Sequence, residues 1–183
     1  MNRRTALLSL ALPVALVLGA CGSDDGDATA EPTATCESLP ATVEAPSSVS
    51  TDLSEAPTVP ASDALPPCGL VVADVVEGDG AVAEEGSDVE VRYWGAFYDT
   101  GESFDSSWSR GADETLPFTA GAPGVIEGFG TGVVGMAEGG RRYITIPSDL
   151  GYGDAGQGPI PGGATLVFVV DLVSVSRRLG GAG

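Results

Sequence analysis

Apolar and polar residues alternate along the second half of the chain in a pattern that predicts β-strands. In residues 88–98, Val89, Val91 and Tyr93 fall on one side and polar residues on the other, which is typical of a half-buried strand. Residues 164–176 form a longer apolar stretch rich in Val, as sheet interiors are. Shorter candidates are residues 69–76, 102–104, 116–119 and 141–147.

One stretch has helical rather than alternating spacing. Within residues 125–136, Ile126, Phe129 and Val133 share one helical face. The glycines of this stretch each cost a helix about 1 kcal/mol, so packing rather than propensity must hold it. We expect five of these six candidate stretches to form one antiparallel sheet. Together with one short helix, and without repeating βα units, they predict an α+β fold.

The loop at residues 147–163 is long for a connection between two neighbouring strands. It carries Asp149, Leu150, Tyr152, Ile160 and Pro161 among several glycines. A loop of this length in a compact domain is more often functional than a plain connector, and its glycines permit close backbone approach to a ligand. An ordinary surface loop is the alternative.

The first twenty residues have the organisation of a secretory signal peptide. Arg3 and Arg4 precede an apolar run, and small residues precede Cys21. The sequence Leu-Gly-Ala-Cys at 18–21 resembles the bacterial lipobox, which implies lipidation of Cys21 and an extracytoplasmic, membrane-anchored lipoprotein. The alternatives are a simple secreted protein or a short transmembrane anchor, although the run is short for a bilayer span.

Residues 21–67 are acidic and rich in Ala, Ser, Thr and Pro, without a base or an aromatic residue. This composition predicts a disordered tether. A folded domain is expected at 68–178 and a flexible tail at 179–183. With Cys21 lipidated, Cys36 and Cys68 remain as an even pair in an oxidising compartment, so we predict a disulfide between them.

The charge and the residue inventory exclude several function classes. Lys+Arg number 8 against 26 Asp+Glu, for a net charge of −18. Nucleic acid is therefore not expected as a partner, since it requires clustered positive charge. The sequence has no His, so the usual base of a hydrolytic triad and the commonest zinc ligand are missing. We expect neither a metal nor a cofactor.

Two motifs suggest other chemistry but lack the necessary context. Gly130, Gly132 and Gly135 spell the dinucleotide fingerprint, but no strand leads directly into them and no parallel strand follows. Glu84 and Glu85 are adjacent carboxylates that are more typical of a solvated turn than of an acid/base pair.

Five sequence blocks, taken in order, identify a family. They are Val-Arg-Tyr-Trp-Gly (91–95), Phe-Asp-Ser-Ser (104–107), Val-Ile-Glu-Gly-Phe (125–129), Gly-Tyr-Gly (151–153) and Ile-Pro-Gly-Gly-Ala-Thr-Leu-Val-Phe (160–168). Together they resemble the FKBP family of macrolide-binding peptidyl-prolyl isomerases over about residues 68–175. The resemblance implies a five-stranded antiparallel sheet wrapped around the short helix, with an apolar pocket between them.

The resemblance also implies the residues of a site. Asp105, Tyr152 and Phe168 are expected to be catalytic, and Arg110 and Tyr93 to hold Asp105. The Tyr152 hydroxyl and the Ile160 N–H are expected to bind peptide carbonyls. The substrate-binding set is Tyr93, Phe104, Phe118, Val125, Ile126, Phe129 and Ile160.

Three departures from the family pattern bear on this site. Phe129 stands where Trp is usual, Pro161-Gly162 replaces Pro-Pro, and the loop at 111–114 is lengthened, with Leu116 where an aromatic is common. The expected function is isomerisation of Xaa-Pro bonds in extracytoplasmic protein folding, with proline-containing polypeptides and macrolides as partners and a monomeric chain. The alternative is a non-catalytic module that binds proline peptides or macrolides on the same fold.

Overall fold

An antiparallel sheet forms the framework of the protein in the computed structural model, which describes residues 35–111 and 113–176. Two 3₁₀ turns, Trp108–Arg110 and Ser148–Leu150, lie between its elements. In chain order the elements are β1 (Val71–Val76), β2 (Asp88–Phe97), β3 (Ser103–Ser106), β4 (Leu116–Thr119), α1 (Glu127–Val133), β5 (Arg141–Ile146) and β6 (Leu166–Ser176).

The strands are ordered β1-β5-β6-β2-β3, and β4 also pairs with β2. β3 pairs with β2 at Trp94–Ala96, whereas β4 pairs with it at Asp88–Val91, so two short strands share one edge of β2. The sheet thus has six strands rather than the five expected. The α+β antiparallel class is confirmed.

Alternation along β6 assigns its residues to two faces of the sheet. Leu166, Phe168, Val170 and Leu172 belong to the cluster that contains Phe129 and Val133 of α1. Val167 and Val169 belong to a second cluster on the other side. Because successive strand side chains point to opposite faces, β6 separates an inner face, covered by α1, from an outer face.

The glycines of α1 explain how a stretch of low helix propensity remains helical. A Cβ on Gly132 would lie 2.7 Å from Cγ2 of Ile144, and one on Gly128 would collide with Ile146. The helix therefore lies closer to β5 than any larger residue would permit. Buried Phe129 and Val133 provide the apolar contacts that offset the propensity cost.

The outer face is covered by residues 35–67, where we expected a disordered tether. This expectation is wrong for the described part of the segment: Val49 and Val59 are 4% and 7% exposed and pack with Ala96, Tyr143 and strand β6. Composition alone predicted disorder because the segment has too few apolar residues to form a core of its own, but it does not need one. A few apolar side chains suffice when the sheet supplies the opposing surface.

Polar contacts fix the same segment in place. The fully buried Arg141 guanidinium donates hydrogen bonds to the carbonyl oxygens of Ser50, Asp52 and Glu55 at 2.7, 3.1 and 3.0 Å, and forms an ion pair with Asp171 at 2.5 Å. Segment residues 41–43 also pair with β1 through hydrogen bonds to both backbone groups of Val72.

The structure joins Cys36 and Cys68 in a disulfide, with Cα atoms 5.0 Å apart. This bond links the start of the outer-face segment to the residues that lead into β1. The ordered domain therefore begins well before residue 68.

Several sequence expectations fall outside the described residues: the leader at 1–20, Cys21, the tether up to residue 34, the tail at 179–183 and Ala112 of the lengthened loop. Among the helices that the structure describes, none has the length and apolarity needed to cross a membrane.

Candidate active site

An apolar cavity of about 320 Å³ opens between α1, the inner face of the sheet and the long loop after β5. Most of the residues predicted to form the site line it. They are Tyr93, Phe104, Asp105, Val125, Phe129, Tyr152, Ile160 and Phe168.

Aromatic rings form the floor and walls of this cavity, with Phe168 at their centre. The Phe168 ring centroid lies 5.0 Å from that of Phe129, 5.6 Å from Phe104 and 6.1 Å from Tyr93. The first two pairs meet edge to face, a favourable arrangement for ring quadrupoles. The rings support each other, so the pocket shape is largely set before any ligand binds.

A glycine in β2 permits this ring packing. A Cβ on Gly95 would lie 2.8 Å from the Phe168 ring and 2.9 Å from the Phe104 ring. Real Cβ contacts are not that short, so any larger residue would displace both rings. The glycine of the Tyr-Trp-Gly block thus has a steric function inside the pocket wall.

A carboxylate is held at the rim of the pocket by two partners. The Tyr93 hydroxyl donates to Asp105 Oδ2 at 2.5 Å, and Arg110 Nη1 donates to Asp105 Oδ1 at 2.8 Å. Arg110 Nη2 also donates to the Tyr93 hydroxyl at 2.9 Å, which closes a ring of three side chains. The Asp105 carboxylate is therefore fixed in orientation although it is half exposed.

This network changes the pKa values of Asp105 and Tyr93. Burial alone would raise the pKa of the Asp105 carboxyl, but hydrogen bonds from Tyr93, Arg110 and the Ser106 N–H outweigh burial and lower that pKa. Burial, followed by the hydrogen bond to Asp105, raises the pKa of Tyr93. Asp105 is consequently anionic and Tyr93 neutral at pH 7, which suits a fixed dipole rather than proton transfer.

Tyr152 and Ile160 come from the long loop, where the structure differs from one expectation. The Ile160 N–H donates to the Gln157 carbonyl at 2.9 Å, and the Gln157 N–H donates back to the Ile160 carbonyl at 2.9 Å. The loop tip is thus a closed turn, and the N–H expected to bind a substrate carbonyl is already paired. In the sequence, only Gly158-Pro159 indicates this turn.

The Tyr152 hydroxyl has no hydrogen-bond partner among the described residues. Burial, followed by the nearby Asp105 charge, raises its pKa, so it stays a neutral donor. The Ile126 N–H, next to the pocket-lining Val125, likewise has no acceptor in the described part of the chain. These two groups are free to bind the carbonyls of a peptide.

Two predicted residues lie elsewhere than expected. Phe118 does not line the cavity but packs behind Phe129 with ring centroids 5.4 Å apart, and Ile126 is half-buried against the core beside the pocket. Sequence reasoning missed four residues of the lining because their contribution depends on the loop conformation and the strand edge. They are Leu116, Gln157, Gly158 and Pro159.

A rigid aromatic pocket with free donors beside it and an oriented carboxylate at its rim defines a binding site for a small apolar ring attached to carbonyls. The fold and this site together define an α+β domain with an aromatic pocket enclosed between its sheet, its helix and a long loop. Among the described residues, no group of acidic or sulfur side chains could hold a metal ion.

Comparison with known proteins assigns the family. The family model for FKBP-type peptidyl-prolyl cis-trans isomerases matches residues 80–173, and the chain belongs to this family. It is a peptidyl-prolyl cis-trans isomerase.

Relatives and solved structures agree with this assignment. The chain is 50% identical over 123 residues to an FK506-binding protein of Streptomyces anulatus, covering 66% of this chain and 98% of the relative. It is 46% identical over 108 residues to a probable FK506-binding protein of Corynebacterium glutamicum, covering 59% and 88%.

The structure is similar to the crystal structure of AtFKBP13, with a TM-score of 0.54 and 32% identity over 61% of this chain and 96% of that one. It is also similar to FkpA from Escherichia coli, with a TM-score of 0.54 and 38% identity over 60% of this chain and 49% of that one.

Proposed function

We propose that this chain is a membrane-anchored lipoprotein that accelerates Xaa-Pro isomerisation during the folding of extracytoplasmic polypeptides. The observation that carries the catalytic part is the aromatic pocket of Phe168, Phe129, Phe104 and Tyr93, with an unpaired Tyr152 hydroxyl at its side. Its size and apolarity suit a prolyl ring.

The proposed mechanism is differential binding. Rotation about an amide has a barrier of about 18 to 20 kcal/mol because partial double-bond character must be lost. The planar amide is charge-separated and well solvated by water, so an aromatic pocket favours the twisted form over the planar one. The Tyr152 hydroxyl and the Ile126 N–H hold the flanking carbonyls, and no step requires a nucleophile.

A proline-limited refolding assay with Phe168→Ala tests this mechanism. We expect the wild-type chain to accelerate refolding and the variant to lose most of that activity, because its central ring is gone. Val82→Ala, at a side chain that is 49% exposed, is the matched control. Circular dichroism must show that Phe168→Ala is folded. A folded variant with full activity would contradict the mechanism.

A wild-type chain that binds a proline peptide yet leaves refolding unchanged would contradict catalysis. Binding of macrolides, which the names of the FK506-binding relatives suggest, is part of the proposal and is measured by titration into the same wild-type protein.

The anchoring part rests on the sequence at 18–21 and on the disulfide. A Cys36–Cys68 bond is typical of an oxidising compartment. The chain's own segment covers the outer face of the sheet, which supports a monomer. We expect wild type to fractionate with membranes and Cys21→Ser to become soluble. Equal solubility of the two would reject the lipid anchor.

A further inference from the structure

A second groove adjoins the proline pocket, and no part of the isomerisation mechanism uses it. We name it the flanking groove; it has a volume of about 520 Å³. Its walls come from the outer-face segment (Ala64, Pro66), the end of β2 and the turn after it (Tyr98, Asp99, Glu102) and the loop before β6 (Pro161).

The two cavities share a boundary. Pro159 lines both of them. Phe104 lines the proline pocket and Phe97 the flanking groove, and their ring centroids are 5.1 Å apart. Since an extended chain advances about 3.3 Å per residue, a polypeptide whose proline occupies the first cavity reaches the second within about two to four residues.

Hydrogen bonds and close packing hold the outer wall of the flanking groove in place. The Ser62 N–H donates to the Tyr98 carbonyl at 3.1 Å, and the Tyr98 hydroxyl donates to the Leu65 carbonyl at 3.4 Å. Gly101 lies so close to the segment that a Cβ would be 2.5 Å from the Val59 carbonyl oxygen. These contacts fix the segment beside the turn, so the groove exists before a ligand arrives.

The charge of the flanking groove is one-sided. The carboxylates of Asp99 and Glu102 are exposed in it, and no arginine of the described residues lines it. Phe97 and Tyr98 supply an apolar surface beside these carboxylates. A Lys or Arg side chain fits this combination, since its aliphatic stem covers apolar surface while its charged end stays near the acids.

We propose that the flanking groove is a subsite for a basic residue of the polypeptide substrate, two to four positions from the isomerised proline. This inference rests on the proposed function, because it assumes that a polypeptide occupies the proline pocket. It narrows the preferred substrate class to extended segments in which a basic residue lies near proline.

The test uses a set of proline peptides with the same core sequence. Lys, norleucine or Glu is placed at each position two to four residues before or after the proline, and kcat/KM for isomerisation is measured by NMR exchange spectroscopy. We expect Lys at one or more positions to raise kcat/KM about threefold to tenfold over Glu at low salt. The preference should shrink in 0.5 M salt because exposed charges are screened.

Two variants decide whether the groove is responsible. Asp99→Asn with Glu102→Gln should abolish the Lys preference while leaving turnover of the norleucine peptide unchanged. Glu77→Gln with Asp79→Asn removes two exposed charges that line neither cavity, and should keep the preference. Equal turnover of Lys and Glu peptides by wild type would overturn the inference. So would a preference lost equally in both double variants, because net charge would then explain it.

Failure of the proposed function gives a different result. If the norleucine peptide is not isomerised at all, catalysis fails, and the same peptides are then titrated against each protein by fluorescence anisotropy. A Lys preference in binding that disappears in the groove variant alone supports the flanking groove. Equal affinity for the Lys and Glu peptides rejects it.

Discussion

The two faces of the sheet are stabilised in different ways. The inner face packs aromatic rings against α1 and leaves an open cavity of about 320 Å³. The outer face is closed by residues 35–67, which are held by the Cys36–Cys68 bond, the buried Arg141 and a few valines. The two faces therefore have different roles. The inner face provides the site, whereas the outer face and its covering segment provide stability and one wall of the flanking groove.

Removal of Arg141 is expected to have the largest effect, and it should act on stability alone. Arg141→Leu leaves the Asp171 carboxylate buried without its partner and frees three segment carbonyls. Such a loss typically costs about 3 to 5 kcal/mol in free energy of unfolding. Urea denaturation measures it. Arg141→Leu with Asp171→Leu should recover part of the loss, and no recovery would show that the ion pair is not the cause.

Removal of the disulfide should destabilise the domain slightly less. Cys36 and Cys68 are 32 residues apart, and closing a loop of that size is worth about 3 to 4 kcal/mol in the chain-entropy model. Because the segment is ordered, this loss should appear in unfolding of the whole domain. We expect Cys36→Ser with Cys68→Ser to show it in urea denaturation and to keep its activity on a plain proline peptide within about twofold. A tenfold loss of that activity in folded protein would break the separation between the faces.

Loss of the Tyr152 hydroxyl should affect the inner face alone. Tyr152→Phe removes one neutral hydrogen bond to substrate, worth about 1 kcal/mol, and should lower kcat/KM a few-fold to tenfold. The urea midpoint should stay unchanged, since the hydroxyl has no partner among the described residues. Unchanged kcat/KM would mean that Tyr152 contributes only its ring.

The smallest effect concerns pH and Asp105. Because the folded protein lowers the pKa of this carboxyl, its stabilising contribution is present above its unfolded pKa of about 3.9 and is lost as pH falls through the lower folded value. We expect stability and activity to be flat from pH 5 to 8 with respect to this group. In Asp105→Asn, stability should fall less steeply as pH is lowered. The same variant should have a reduced but measurable kcat/KM.

The matched control for this pH series is Asp154→Asn, which removes an exposed carboxylate outside the pocket lining. An identical acid limb in wild type, Asp105→Asn and the control would show that the Asp105 network does not contribute. Complete loss of activity in a folded Asp105→Asn protein would instead contradict a mechanism without proton transfer.

The inner face was largely predictable from sequence, because strand alternation is a local pattern and the family motifs occur in a fixed order along the chain. Alternation identified the faces of β2, and the block around Phe129 located the helix. The prediction for Phe118 was wrong. A Phe side chain is equally suited to a pocket wall and to the layer behind it, and Phe118 packs against Phe129 in the layer behind.

The loop tip could be predicted only in part. Glycines and Tyr152 marked the loop as functional, but the pairing of the Ile160 N–H with Gln157 depends on the turn that Gly158 permits at a positive φ. Sequence fixes which conformations are allowed there, and surrounding contacts select one of them.

By itself, the sequence determined the strand and helix pattern, the order of the pocket residues and the pairing partners available to two cysteines. Tertiary structure alone decided that residues 35–67 are ordered and that Arg141, a base that composition places at the surface, is fully buried. The physical reason is that local periodicity determines to which face of the sheet a side chain points. Which segment packs over that face depends on contacts between residues about 90 positions apart, such as Arg141 and Ser50.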